Sequence, residues 1–404
     1  MKRVFEAPDL DPVEREVLHL IEALRKDLRH RVAEPRRWYG SLRRMTLARA
    51  VQGSNSIEGY HASLDDVAAA VDGEPTLDAN EETQLALAGY RDAMTYVLQA
   101  AEDETAVVDE GMIKALHFMM LKHDIGKSPG RWRTRDIAVV NEATGQKVYD
   151  GPDADLIPDL LAAMLNELER DGVPALVRAA MAHLNLVMIH PFRDGNGRMA
   201  RCLQTLVLTR DRIVVPVFSS VEEYLGRNTQ AYYDILATTG NGSWQPDNDP
   251  RPWVRFMLTA HYRQARTHLR RIEEIEQLFA QCLEVTSRHR LPERAAGGLM
   301  DAAMGLRLRR SSYIHAVDYS MGEEISQLTA TRDLQSMVKA NLLSPRGNTK
   351  ARIYTAAPQL AAIRAAIRDD RPPRADYDPF VKAEQDLGGQ LVLPDQSNPS
   401  SLLS

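Results

Sequence analysis

The stretch His190-Pro191-Phe192-Arg193-Asp194-Gly195-Asn196-Gly197-Arg198-Met199-Ala200-Arg201 constrains this chain more than any other. A mostly apolar run, Leu184 to Ile189, leads into it, and a second, Cys202 to Leu208, leads out. Pro191 lacks a donor N–H and restricts the residue before it, so it breaks the incoming helix and leaves His190 at a helix end facing the loop. Gly195 and Gly197 bracket Asn196; glycine permits positive φ and close backbone approach, so successive N–H groups can point into one concavity. The following run reads as a helix whose free N–H groups and positive dipole end face the same concavity, which makes an anion site. Arg198 and Arg201 are three apart and share a helix face beside that anion. An unperturbed histidine titrates near neutrality, so His190 can accept a proton from a hydroxyl. Asp194 would repel a bare phosphate, but it fits as the ligand of a divalent cation, since Mg²⁺ takes one or two carboxylates plus phosphate oxygens. Singly, each residue is explained by a helix break, a glycine turn and a solvated basic face. In this order they read as a site for nucleotide phosphoryl chemistry.

The stretch resembles the Fic motif, HPFx(D/E)GNGRxxR, at every one of its nine fixed or near-fixed positions. The resemblance implies a mainly α protein with a Fic-type helical core and a small β-hairpin flap. It implies that His190 deprotonates a target hydroxyl and that Asp194 is the Mg²⁺ ligand. It makes Gly195, Asn196, Gly197 and Arg198 the cradle of the α- and β-phosphates, and Arg201 the partner of the γ-phosphate. The family mostly transfers AMP from ATP to a protein hydroxyl, so ATP is the expected co-substrate.

The 404 residues suffice for two or three domains. A hydrophobic content of 44% supports ordinary cores, and 6% aromatics with abundant Ala, Leu and Arg leans helical. The net charge of -6 carries no global polyanion-binding signature. Two cysteines, Cys202 and Cys282, stand in apolar helical contexts and read as buried thiols of a reducing compartment. Met1 to Asp11 has no long apolar core, and no run of about 18 apolar residues occurs, so a cytoplasmic protein without a membrane partner is expected.

Residues 12–33 and 38–58 read as amphipathic helices, separated by Pro35. The second ends in Ser54-Asn55-Ser56-Ile57-Glu58-Gly59, with Gly59 suited to a helix C-terminus. Glu58 there meets the negative dipole end and needs a cationic partner. Ser54, Glu58 and Gly59 resemble the (S/T)xxxE(G/N) inhibitory pattern of the Fic family. The resemblance pairs the glutamate with the second motif arginine, here Arg201, and implies autoinhibition. Ser63 opens another helix, and residues 83–101 and 109–122 give two more; His117 on the last reads as a core-edge histidine.

Residues 137–149 read as a hairpin around Asn141-Glu142-Ala143-Thr144-Gly145 and resemble the family flap that holds a target by strand pairing. Gly130 and Arg133 precede it and receive no role. Helices follow over 158–170, 174–189 and 197–209, with a short β-branched piece at Val214 to Ser219. Family members often set an asparagine and a tyrosine against the adenine; Asn228 and Tyr232 are the candidates. Trp253 to Leu283 reads as one long helix whose basic stretch, Arg263 to Arg271, is taken as a solvated face.

Leu306–Val317 and 325–328 read as helices, Thr331–Ala340 as a third, and the turn Pro345–Asn348 with Arg352–Thr355 as a wing. The pattern resembles a winged helix-turn-helix. Eight Lys and Arg against five Asp and Glu over 301–360 make DNA a candidate partner, with protein contacts of equal weight. The expected division is an N-terminal helical region at 1–105, a Fic core at 106–240, a helical extension at 241–300, a winged unit at 301–360 and a tail at 361–404. The leading expectation is an autoinhibited protein adenylyltransferase acting on a target protein and on itself. The alternatives are removal of AMP by a water that Glu58 positions, and a DNA-binding regulator that senses nucleotide. A homodimer is the further partner considered, and a donor other than ATP stays open.

Overall fold

Apolar side chains at helical spacing make most of the chain α-helical in the computed structural model, which describes residues 3–34, 36–140, 145–210, 216–347, 352–371 and 378–390. Capping residues start many of the helices. Asp11 accepts the Glu14 N–H while Glu14 reaches back to the Asp11 N–H, fixing the start of α1 (Pro12–Ala33). α2 (Tyr39–Ile57) has no capping side chain and ends on Glu58. Ser63, Asn80 and Asp109 cap α3 (Leu64–Val71), α4 (Glu81–Ala100) and α5 (Glu110–Leu121). β1 (Ala138–Val140) and β2 (Lys147–Asp150) then form the expected antiparallel hairpin, Ala138 opposite Asp150, with a register shift between Val139 and Val140. The hairpin tip, 141–144, lies outside the described residues, as do Pro35, Val214 and Asn348.

α6 (Ile157–Leu168), α7 (Ala175–Ile189) and α8 (Asn196–Thr209) follow. α7 and α8 are buried along nearly their whole length and pack on each other. One hydrophobic core surrounds them, drawing on α2, α4, α5 and α6. Pro216–Phe218, within the β-branched piece, forms a 3₁₀ turn. α9 (Glu222–Arg227) and α10 (Thr229–Gly240) lead to α11 (Arg251–Arg288), which at 38 residues is about 57 Å long. Its first half joins the core around α7, and its second half joins another core.

That other core gathers α12 (Ala295–Ala303), α13 (Arg310–Met321), α14 (Gln327–Lys339) and α15 (Pro358–Asp369) with the hairpin β3 (Leu343–Arg346)–β4 (Ile353–Ala356). Leu308 bridges Tyr354 on the free side of β4. α14 is one helix where the pattern suggested two pieces: Ser326 caps it and nothing between Leu328 and Thr331 breaks it. The stretch read as tail holds the end of α15 and a further helix, α16 (Pro379–Gln390), which packs on α1. Ala383 is fully buried and the Arg255 guanidinium lies 5.0 Å over the Phe380 ring. α12 also crosses the expected boundary at residue 301, with Asp301 buried against Arg44 of α2 at 2.9 Å. No helix among the described residues is long and apolar enough to cross a membrane.

Candidate active site

His190 ends α7 in the left-handed region, φ 52° and ψ 55°, with its N–H bonded to the Leu186 carbonyl. The following proline disfavours the right-handed alternative that would prolong the helix. Its Nδ1 lies 3.1 Å from the Val187 carbonyl. A carbonyl only accepts, so Nδ1 carries the hydrogen and Nε2 keeps a lone pair that can take a proton. Burial pushes the ring pKa below 6.5, and the nearby Arg133 cation adds to this against the Val187 carbonyl and the Glu58 and Asp194 carboxylates.

Three side chains shape the loop after His190. Arg133, to which the sequence assigned nothing, is buried and donates from Nε to the His190 carbonyl at 2.8 Å and from Nη2 to the Pro152 carbonyl at 2.6 Å. Its own N–H bonds the Pro191 carbonyl at 2.8 Å, so one residue ties the base of the flap to the histidine loop. His117 accepts the Gly130 N–H on Nδ1 at 2.8 Å, which leaves Nε2–H to donate to the Asp194 carbonyl at 2.9 Å. Burial holds it at about 4, so it is a neutral pin stacked 3.6 Å from the Phe192 ring. Asn196 closes the loop on itself: Oδ1 accepts the Phe192 N–H and Nδ2 donates to the Phe192 carbonyl, both at 2.9 Å. Its side chain is thereby committed, and what it retains for a ligand is a first-turn N–H with no acceptor inside α8.

Gly195 adopts φ +76° where a Cβ would stand 2.9 Å from Leu121 Cδ1. Asp194 Oδ1 accepts the Gly195 N–H at 2.6 Å, and Oδ2 lies 2.9 Å from Lys127 Nζ. Burial raises the Asp194 pKa, but Lys127 and Arg198 outweigh it and hold the carboxyl below its usual range. Arg198 is buried with Nε and Nη1 unpartnered among the described residues, an arrangement that calls for an acceptor. Its guanidinium lies 5.3 Å over the ring of Tyr60, whose hydroxyl is 3.3 Å from Lys127 Nζ.

Glu58 and Arg201 meet. Arg201 Nη2 donates to Glu58 Oε1 at 2.6 Å, Nε to Ser54 Oγ at 2.9 Å, and Nη2 also to the Ser54 carbonyl at 3.1 Å. Gly59, at φ +84°, turns the chain away behind them. Burial alone would lower the Arg201 pKa, yet the Glu58 carboxylate raises it, so the cation is fixed. A Cβ on Gly197 would stand 2.7 Å from Glu58 Oε1 and 3.1 Å from Arg201 Nη1. The carboxylate therefore rests on the first turn of α8, at the anion-attracting end of that helix.

Of the two adenine candidates, Asn228 sits at the α9–α10 junction with Nδ2 on the Tyr224 carbonyl at 2.7 Å. Tyr232 is 1% exposed, its hydroxyl 3.0 Å from His183 Nε2, and it neighbours Arg201; as it stands its ring offers no open face. Tyr233, passed over in the sequence, is the exposed ring, and its hydroxyl donates to the Ile57 carbonyl beside Glu58 at 3.0 Å. Tyr60, Lys127 and Arg133 were missed because they stand outside the motif and only folding brings them to it.

Residues 107–208 match the family model described as Fic/DOC family. The protein adenylyltransferase Fic of Aedes aegypti is 27% identical over 208 residues, 51% of this chain and 37% of that protein. The protein of the same name from Nematostella vectensis is 29% identical over 221 residues, 50% and 44%. Protein adenylyltransferase fic-1 of Caenorhabditis elegans is 27% identical over 267 residues, 63% and 47%. The chain thus spans less than half the length of these curated relatives. A crystal structure of a Fic family protein from Desulfovibrio desulfuricans shares the fold with a TM-score of 0.55, over 87% of this chain and 98% of that one at 22% identity. Fic-1 of C. elegans does so at 0.50, over 65% and 73% at 24% identity. The histidine loop, Arg198 and Arg201 fall within the span, residues 107–208, that matches the Fic/DOC family model.

Proposed function

We propose that this chain is an autoinhibited protein adenylyltransferase that moves AMP from ATP to a hydroxyl side chain of a target protein or of itself. The observation that carries the reading is the Glu58–Arg201 pair at 2.6 Å, seated on Gly197 and near a histidine whose Nε2 keeps its lone pair. The names of the relatives point the same way. In the reaction His190 Nε2 takes the hydroxyl proton while the oxygen bonds the α-phosphorus, the bond to the β-phosphate oxygen breaks, and pyrophosphate leaves. The first-turn N–H groups of α8 and the unpartnered nitrogens of Arg198 hold the α- and β-phosphates, and Arg201 is assigned the γ-phosphate. Asn228 and the exposed Tyr233 are assigned to the adenine, and Tyr232 to supporting Arg201. The residues fit a magnesium ion: Asp194 is an ionised, partly exposed carboxylate next to the phosphate donors, the one-carboxylate set Mg²⁺ takes beside phosphate oxygens. Bound there, the ion would neutralise phosphate charge.

While Glu58 holds Arg201, that guanidinium is withheld from the γ-phosphate and a carboxylate stands in its place. Glu58→Gly should raise self-labelling roughly tenfold or more if the pair contributes over about 1.4 kcal/mol. Intact-protein mass spectrometry after incubation with ATP and Mg²⁺ reads the added AMP. Unchanged labelling, with loss of AMP removal from a modified target, would instead establish the reverse reaction. We further assign α13, α14, β3 and β4 to a winged helix-turn-helix with α14 as its DNA-facing helix. The support is a capped α14 exposing Arg332, Gln335 and Lys339, followed at once by the hairpin.

A further inference from the structure

Away from the histidine loop, α2 meets α9, α11 and α15 around a cavity of about 400 Å³, the size of a small-molecule site. Guanidinium groups dominate its wall. α2 contributes Arg49, α9 contributes Arg227, and α11 contributes Arg270 and Arg271. Arg364 and Arg368 of α15, with Arg371 just beyond it, complete the ring over an apolar base of Leu42, Met45 and Ile275. Among the described residues the lining holds one carboxylate, Glu274, which already bonds Arg364 at 3.2 Å and also Arg371. The neighbouring Glu223 takes Arg271 and Arg227, each at 2.6 Å.

Arg49 is the group left wanting. Its Nε is buried without a hydrogen-bond partner among the described residues. Burial, and after it the cations of Arg271, Arg227 and Arg364 against the Glu223 carboxylate, hold it at about 10. A guanidinium pushed down by its cationic neighbours gains from any anion placed among them. The sequence pattern suggested a solvated face for the α11 arginines; Arg271 is only 13% exposed and turned inward on Glu223. The ring draws on segments far apart in the chain, so no spacing announces it.

We propose that this cavity is a second anion site that binds a small polyphosphorylated molecule, distinct from the phosphate cradle at α8. Seven guanidinium charges stand against the two carboxylates Glu274 and Glu223, more than the roughly two charges of one phosphate offset, and a cavity of this volume suits a compact chain of phosphates rather than a nucleic-acid strand. Inorganic tripolyphosphate is the probe, titrated calorimetrically into the full chain at low salt with EDTA. Wild type should bind it, and Arg198→Gln, which weakens only the α8 cradle, should lose any binding there and keep binding at the cavity. Arg49→Gln/Arg368→Gln should weaken binding about tenfold or more while keeping the wild-type melting temperature. Should the double variant melt early, Arg368→Gln alone, on an exposed side chain, should still weaken binding several-fold. Tighter binding of GTP than of tripolyphosphate in Arg198→Gln would assign a nucleotide source, and equal binding would assign recognition to the phosphates themselves. Absence of binding to wild type, complete loss in Arg198→Gln, or retention in both cavity variants would overturn the site.

Discussion

In the proposed reaction His190 serves as the base, and one hydrogen bond and its surroundings suit it to that role. The Val187 carbonyl fixes the hydrogen on Nδ1, and burial lowers the pKa below 6.5. The neutral ring is the active form, so a lowered pKa keeps it competent through neutral pH, and rate is lost only as pH falls through that pKa. The labelling rate of Glu58→Gly should therefore stay flat from pH 8 down to about 6.5 and decline below it; a limb above 7 would contradict the assignment. His190→Ala should cut labelling about 10²–10⁴-fold with ATP binding retained in a calorimetric titration, because the groups proposed to hold the phosphates sit on α8. Asp194→Ala should abolish the Mg²⁺ dependence together with labelling, and wild-type labelling that persists in EDTA would sink that role. At this scale the sequence was generous where chemistry is contiguous. His190 and Asp194 announce themselves, because helix-breaking and turn residues fix their setting within a few positions. Lys127 and Tyr60 do not, because a lone Lys or Tyr far along the chain carries no spacing signal, and the four-residue spacing of Gly130 and Arg133 is too short to give Arg133 a role. Asn196 was legible as a loop residue but not as one whose amide closes the loop on Phe192.

Among the elements, the contact that brings Glu58 to Arg201 is α2 on α9. Gly53 of α2 and Gly226 of α9 touch backbone to backbone: a Cβ on Gly53 would stand 2.3 Å from the Glu222 carbonyl oxygen, and one on Gly226 2.6 Å from Gly53 Cα. This closeness positions Ser54 and Glu58, one and five residues on, against Arg201. Backbone atoms cannot swing aside as a side chain can, so Gly53→Ala must push α2 off α9, at about 1–3 kcal/mol. The variant should melt below wild type and also label itself faster, approaching Glu58→Gly. Lower stability with wild-type labelling would mean that the ion pair survives the displacement. A carboxylate at the negative end of the α2 dipole needs a cation, and Arg201 of α8 supplies it to Glu58. Most helix positions were readable from apolar spacing and caps, whereas α14 was read as two pieces although Thr329 and Ala330 between them carry no break, and α16 was hidden behind a Pro-rich approach.

Across the whole molecule, α11 runs through both cores and fixes the C-terminal unit to the face that carries α2. Arg44 of α2 bonds Asp301 at 2.9 Å and Asp72 at 2.7 Å, and Arg307 reaches Asp65 at 2.6 Å and Asp78 at 2.7 Å. None of the docking through Asp301 and Arg307 was legible, because each pair there joins residues 229 or more apart in the chain. Cutting the chain after Met300 would sever α12 and strip Arg44 of a buried partner, a loss of several kcal/mol that would confuse any binding test. Point changes on α14 avoid this. Arg332 and Lys339 are exposed there, while Ala330, Leu334 and Met337 face the core. If α14 faces DNA, each cation neutralises about one phosphate, and affinity falls steeply with salt. Arg332→Ala/Lys339→Ala should then weaken binding to duplex DNA and flatten the slope of log affinity against log salt by about 1.8, while self-labelling of the Glu58→Gly background stays the same. Neither residue belongs to the nucleotide site, so a change in labelling would mean that the unit acts on the core. Equal slopes for the two proteins, or no DNA binding by wild type, would leave α14 as a surface for protein contacts.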